Sequence, residues 1–207
     1  VRALALEARA CALRNGEVDD EVKLAVIDYS RPSTEKRLWV FDVAGDALLF
    51  NEHVAHGSGT GDNIAKRFSN EDGSHATSLG LFRTAETYQG GNGYSLRMDG
   101  LDPGFNDNAR SRASGMHGAW YANPELIRTQ GRLGRSQGCP ALREQVAKVV
   151  IDTLKQRQLL FSYADDAAFL QRGRSFACNG RSAGQILAAA RAVTLGAGAA
   201  VGAVAAP

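Results

Sequence analysis

Gly131-Arg-Leu-Gly-Arg-Ser-Gln-Gly-Cys-Pro140 places one cysteine between a glycine-rich loop and a stretch of helical periodicity. Pro140 suits a first helical turn. Leu142, Val146, Val149, Val150 and Leu154 recur on one stripe, so the spacing predicts a helix over 141–157. Cys139 then falls at the helix N-terminus, where unpaired backbone N–H groups and the positive end of the helix dipole lower a thiol pKa. Arg132 and Arg135 add positive charge close by in sequence. On this reading the thiol is placed for chemistry rather than for packing.

Outward from this stretch the period changes to two. Val22, Leu24 and Val26 alternate, and residues 38–43 and 47–54 flank Ala44-Gly45-Asp46 as a hairpin. Further strands are predicted over 78–88, 94–101 and 114–121, separated by the turns Gln89-Gly-Gly-Asn-Gly93 and Asp102-Pro-Gly104, and a last strand over 159–163. The expected fold is mainly β, a β-sandwich or partly closed barrel, with a helix over 2–14 stopped by Asn15-Gly16 and the helix after Cys139 at its margins. The organisation follows as an N-terminal helical segment (1–21), a catalytic domain (22–164) and a helical or low-complexity Ala/Gly-rich tail (165–207). Ala and Gly contribute little apolar transfer energy, so the tail is not expected to form a stable membrane span.

With 207 residues the chain can bury one sizeable core, and its net charge of +2, with acids and bases interspersed, excludes the basic stripe of a nucleic-acid binder. Three cysteines allow one disulfide and one free thiol, or three free thiols. If Cys11 and Cys178 pair, Cys139 is left over; the sequence leaves both arrangements open. Residues 1–15 lack the apolar run of a signal peptide, so any targeting segment is expected to have been removed or cropped.

The other polar motifs are weighed in the same way. Gly57-Ser-Gly-Thr-Gly61 lacks the Lys-Ser/Thr that follows a phosphate loop and reads as a loop between strands. His53, His56 and His75 fit no zinc spacing, so neither a metal nor a cofactor is expected, although His56 beside the glycine loop is a candidate for bordering a cleft. All four histidines precede Cys139. An imidazole base must therefore lie upstream, opposite to the papain-type order, and His117 in Met116-His-Gly-Ala119 is the candidate.

Asp28-Tyr-Ser-Arg-Pro-Ser33, Lys36-Arg-Leu-Trp-Val40, Val54-Ala-His-Gly57, Gly93-Tyr-Ser-Leu96, Gly104-Phe-Asn-Asp-Asn108, Met116-His-Gly-Ala119 and the opening stretch together carry a resemblance. From about residue 22 to 163 the chain resembles the L,D-transpeptidase catalytic domain family, in its murein YkuD-like branch. The resemblance implies a mostly β core, a cysteine nucleophile exchanging peptide bonds in peptidoglycan stem peptides, and an extracytoplasmic site, periplasmic or secreted. It assigns Cys139 as nucleophile, His117 as base, and Ser136 and Gly138 as flanking motif positions. Gln137 stands where many relatives carry a second His near the oxyanion site; its amide donates a hydrogen bond but does not titrate. Gly118 follows the base, so a backbone carbonyl is expected to orient His117. Arg132, Arg135, Gly118 and His56 are the candidates for substrate contact.

The implied reaction is a two-step acyl transfer on a tetrapeptide stem through a Cys139 thioester, with the N–H groups of Gly138 and Cys139 around the oxyanion. Water in place of the acceptor amine makes the same site a carboxypeptidase or endopeptidase. A sortase-like enzyme and a non-catalytic wall-binding module are the competing readings. The oligomeric state is not legible in the sequence.

Overall fold

The strands at the centre of the sheet are apolar on both faces. In the computed structural model, which describes residues 1–19 and 23–202, β1 (Lys23–Asp28) is buried from Leu24 onward and β8 (Leu159–Tyr163) throughout. They pair in parallel, from Leu24 opposite Leu159 to Asp28 opposite Tyr163. Parallel central strands covered on both sides need continuous apolar runs rather than alternation, as Leu-Ala-Val-Ile and Leu-Leu-Phe provide.

On one side of this pair lie β2 (Leu38–Asp42) and β3 (Ala47–Glu52), joined as the predicted hairpin. On the other side follow β4 (Gly80–Gly90), β5 (Gly93–Gly100), β6 (Gly115–Gly118) and β7 (Ala141–Leu142), giving the order β3-β2-β1-β8-β4-β5-β6-β7. The chain leaving β3 then returns to β7. Ala55 N–H donates to the Ala141 carbonyl (2.8 Å), Ser136 N–H to the His56 carbonyl (3.0 Å) and Ser58 N–H to the Ser136 carbonyl (2.8 Å). These bonds bring the two sheet ends together in a nearly closed, barrel-like sheet, in agreement with the mainly β fold expected.

Helix α1 (Arg2–Arg14) turns Leu4, Ala5, Ala8, Cys11 and Ala12 inward against β1, β4 and β8. A short α2 (Glu125–Gln130) precedes the cysteine loop, and α3 (Glu144–Leu154) buries Ala147, Val150, Ile151 and Leu154. After β8 come α4 (Ala167–Arg172), a 3-10 turn at Arg174–Asn179 and α5 (Ala183–Gly202). Phe169, Phe176, Ala183 and Ile186 belong to the same core as Leu4 and Phe161. The buried Asp102 carboxylate accepts from the N–H groups of Leu81 (2.7 Å) and Ser175 (2.8 Å), tying this segment to β4. Cys11 and Cys178 form a disulfide with their Cα atoms 5.5 Å apart, which leaves Cys139 as the free thiol.

Several sequence expectations are corrected. The helix after Cys139 starts at Glu144, because Ala141 and Leu142 are drawn into the sheet by His117, Gly118 and Ala55. Cys139 is therefore not at a helix N-terminus. Val149 is 50% exposed, and Ile151 takes its place in the core. The strand expected over 114–121 ends at Gly118, and Trp120–Ala122 form a 3-10 turn. Within the segment expected as a helical or low-complexity tail, Phe169, Phe176, Ala183 and Ile186 pack into the core. Asp20, Glu21, Val22 and residues 203–207 of the expected segments lie outside the described residues. Among the described residues no helix is long and apolar enough to cross a membrane.

The disulfide closes most of the chain into one loop, 167 residues in sequence separation. Replacing Cys11 and Cys178 together by serine is expected to lower unfolding free energy by about 2–5 kcal/mol. Denaturant unfolding checks the loss. Limited proteolysis is expected to cut first within 165–186, and cleavage elsewhere first would contradict the stapling role.

Candidate active site

Cys139 stands just before the short strand that closes the sheet. Its sulfur is half-buried and lies 4.0 Å from the Ala113 carbonyl. Burial pushes the thiol up from its ordinary value; the N–H groups of Gly115 and of Cys139 itself and the Arg112 charge pull the other way. The low thiol pKa expected from a helix N-terminus is thus overturned: the helix starts too late, and desolvation is the largest influence on the thiol.

His117 is placed beside this segment by backbone pairing. It lies opposite Ser95 in β5 and Ala141 in β7, and its N–H donates to the Pro140 carbonyl at 3.4 Å. The imidazole Nδ1 is 2.9 Å from the Gly118 carbonyl. A carbonyl only accepts, so the proton sits on Nδ1 and the lone pair on Nε2, the tautomer a general base requires. Burial also lowers the imidazole pKa, which keeps the ring neutral near pH 7. Nε2 is 3.5 Å from the Asn92 side-chain nitrogen, and the Tyr121 ring meets His117 edge-on. No hydrogen bond joins the sulfur to the imidazole in the described residues.

The loop before Cys139 is tied down from several directions. Ser136 Oγ donates to the Cys139 carbonyl (2.6 Å) and accepts from Gly138 N–H (3.1 Å). Thr77 Oγ1 accepts from Gly57 N–H (2.9 Å) and donates to the Gly138 carbonyl (3.0 Å). Gly138 has φ +123°, and a Cβ there would lie 3.0 Å from the Ala76 carbonyl oxygen. Its N–H, expected to face an oxyanion, is already used by Ser136. Gln137 is exposed on the loop surface.

Of the substrate-contact candidates, two are structural. His56 is fully buried: Arg37 Nη2 donates to its Nδ1 at 2.7 Å, so Nε2 carries the proton and faces the Gly61 carbonyl at 3.3 Å. Arg37, also buried, donates to the Val54 carbonyl through Nε (3.1 Å) and Nη2 (2.9 Å), and lies over the Tyr29 ring. This pair props the chain that bridges to Ser136 and Ala141. Gly118 is packed on α3, where a Cβ would meet Ala147 at 3.0 Å. Arg135 pairs with Asp62 (3.0 Å), and Arg132 approaches the same carboxylate (3.8 Å) while donating to the Leu133 carbonyl. Neither guanidinium appears among the influences on the thiol. The cation that does, Arg112, carries no motif in the sequence, and the sequence assigns no site role to Asn92, Tyr29 or Tyr121. The notable signal was proximity in sequence: Arg112 and Tyr121 flank Met116-His-Gly-Ala119.

A family model of the L,D-transpeptidase catalytic domain matches residues 1–163. The chain belongs to this family. Among solved structures it is similar to an L,D-transpeptidase from Stackebrandtia nassauensis (14% identity, TM-score 0.43, covering 79% of this chain and 68% of that one). It is also similar to an L,D-transpeptidase from Mycobacterium smegmatis (15%, 0.40, 70% and 59%). A third is the helical cell shape determining protein Pgp2 from Campylobacter jejuni (14%, 0.45, 80% and 57%). No curated protein matches the chain.

Two tests follow for this L,D-transpeptidase catalytic domain. Gly138→Ala forces a side chain into positive φ against the Ala76 carbonyl, so it is expected to cost about 1–3 kcal/mol of stability and to slow Cys139 alkylation. Thermal unfolding and thiol titration read the two effects. The second test concerns acid stability. Burial lowers the His56 pKa from 6.5 to about 4, so the unfolded chain binds a proton that the native state refuses. Stability conferred by neutral His56 is therefore present above pH 6.5 and is lost as pH falls toward 4, by about 3 kcal/mol in all. His117 adds in the same direction. Urea unfolding from pH 7 to 4 is expected to show a flatter dependence in His56→Gln; equal slopes would remove the assignment.

Proposed function

We propose that the protein is a cysteine-dependent peptidoglycan L,D-transpeptidase acting on tetrapeptide stems. The observation that carries the reading is the pairing of the segment containing Cys139 with the strand bearing His117, whose Nε2 holds a lone pair because Nδ1 is committed to the Gly118 carbonyl. Family membership supplies the substrate class. In the first step the Cys139 thiol gives its proton to His117 Nε2 and the sulfur attacks the carbonyl preceding a terminal D-alanine. The tetrahedral oxyanion faces the N–H of Cys139, which lacks a backbone acceptor in the described residues, while Gly138 N–H stays with Ser136. Collapse breaks the C–N bond, His117 returns the proton to the departing amine, and a thioester remains.

In the second step the side-chain amine of a neighbouring stem attacks the thioester. Its proton passes through His117 to the leaving thiolate, and the new amide is the crosslink. The Cys11–Cys178 disulfide supports an oxidising compartment, periplasmic or secreted, where peptidoglycan lies.

Incubation with tetrapeptide-stem muropeptides, followed by intact-protein mass spectrometry, tests the proposal. A stem adduct on Cys139 and crosslinked dimers are expected. Cys139→Ala should abolish both, and His117→Gln should slow turnover by about 10²–10⁴-fold. Wild type indistinguishable from Cys139→Ala, with neither adduct nor product, would refute it.

A further inference from the structure

Cys139 lacks the helix N-terminus that its sequence context predicts, yet a fixed cation lies against the adjacent Gly138. Arg112, in the turn before β6, donates through Nη1 to the Ser69 carbonyl (2.8 Å) and Ser78 Oγ (2.6 Å). Through Nη2 it donates to Ser74 Oγ (3.1 Å) and the Ala76 carbonyl (2.9 Å). All four Nη hydrogens are therefore used by the protein. The same Ala76 carbonyl is the atom against which Gly138 is packed, and Arg112 Nη2 lies 3.6 Å from where a Gly138 Cβ would stand. The guanidinium is half-buried and carries no hydrogen-bonded carboxylate in the described residues; Asp72 acts on it only at longer range.

We propose that Arg112 is a positioning residue that supplies the positive charge opposite Cys139, replacing the helix dipole and steadying the Ala76–Gly138 contact beneath the nucleophile. The inference rests on Cys139 being the nucleophile. With its Nη donors saturated, Arg112 acts through its field rather than by donating an Nη hydrogen bond to substrate. That field is worth more at a half-buried site than in water. Its direction agrees with the mutual influence of the two groups, Arg112 favouring the thiolate and the Cys139 charge favouring the guanidinium cation. The other groups facing the sulfur do not replace it. Tyr29, at the end of β1, and Tyr121, after β6, are neutral phenols held up from their ordinary pKa, by burial first and by the Cys139 charge. His117 on β6 is a neutral ring, and Gly115 and Cys139 offer only backbone N–H groups.

Because Cys11 and Cys178 are joined, the pH dependence of iodoacetamide alkylation reads Cys139 directly. Arg112→Met is expected to move the midpoint up by about one pH unit and to slow alkylation about tenfold at pH values below it. Arg112→Lys, which keeps the charge, should move the midpoint back toward wild type. In muropeptide turnover, kcat should fall in the Met variant with KM little changed. If Arg112→Met does not fold, Arg112→Gln, which retains an amide donor, carries the same test.

A Met or Gln variant that is folded, with an alkylation profile superimposable on wild type, would overturn the inference even if its turnover were reduced. Conversely, a wild-type protein without turnover whose alkylation midpoint still moves on loss of Arg112 would refute the transpeptidase reading and leave the charge assignment standing.

Discussion

The hydrogen bonds that join residues 55–58 to residues 136–141 are the constraint on which the site depends. An eight-stranded sheet left open would present two edges of unpaired backbone groups. Here the chain after β3 folds across to β7, and the motif containing the cysteine is part of the closure itself. The loop is therefore held by backbone pairing on one side and by Ser136, Thr77 and Gly138 on the other. Its geometry does not rely on side chains of the loop alone.

Beneath the seam, the buried pair Arg37–His56 solves a local problem. The Val54 carbonyl points into the interior, and Arg37 supplies two donors to it while a third bond reaches the neutral His56 ring. A buried guanidinium is costly unless its donors are satisfied. Desolvation lowers the Arg37 pKa to about 10, still well above neutrality, so the cation persists. It in turn helps keep His56 neutral. A histidine next to a glycine loop looks like a cleft residue in sequence; in space it is a strut.

Backbone pairing also sets His117 beside the segment that follows Cys139. β6 is four residues long, yet it pairs with β5 on one side and β7 on the other, fixing the imidazole by its own chain and by the Gly118 carbonyl. The thiol is left in a desolvated place with one immobile cation nearby. Burial and charge oppose each other at the sulfur, and burial has the larger influence.

The sequence by itself determined the β-rich class, the hairpin of β2 and β3 and the helix at the N-terminus, because these rest on local periodicity and turn chemistry, and its compact motifs named Cys139 and His117 as candidates. It misread residues 141–143 as helix. Their apolar spacing suits a helix as well as a strand, and only pairing with His117 and Ala55 decides between the two. The disulfide, the burial of His56, the engagement of Arg132 and Arg135 by Asp62, and the approach of Arg112 to the thiol were decided by tertiary structure alone. Each depends on segments distant in sequence, or on a turn without periodicity, brought together when the sheet closes. Local pattern says which residues can do chemistry; closure of the sheet says which segments are brought side by side.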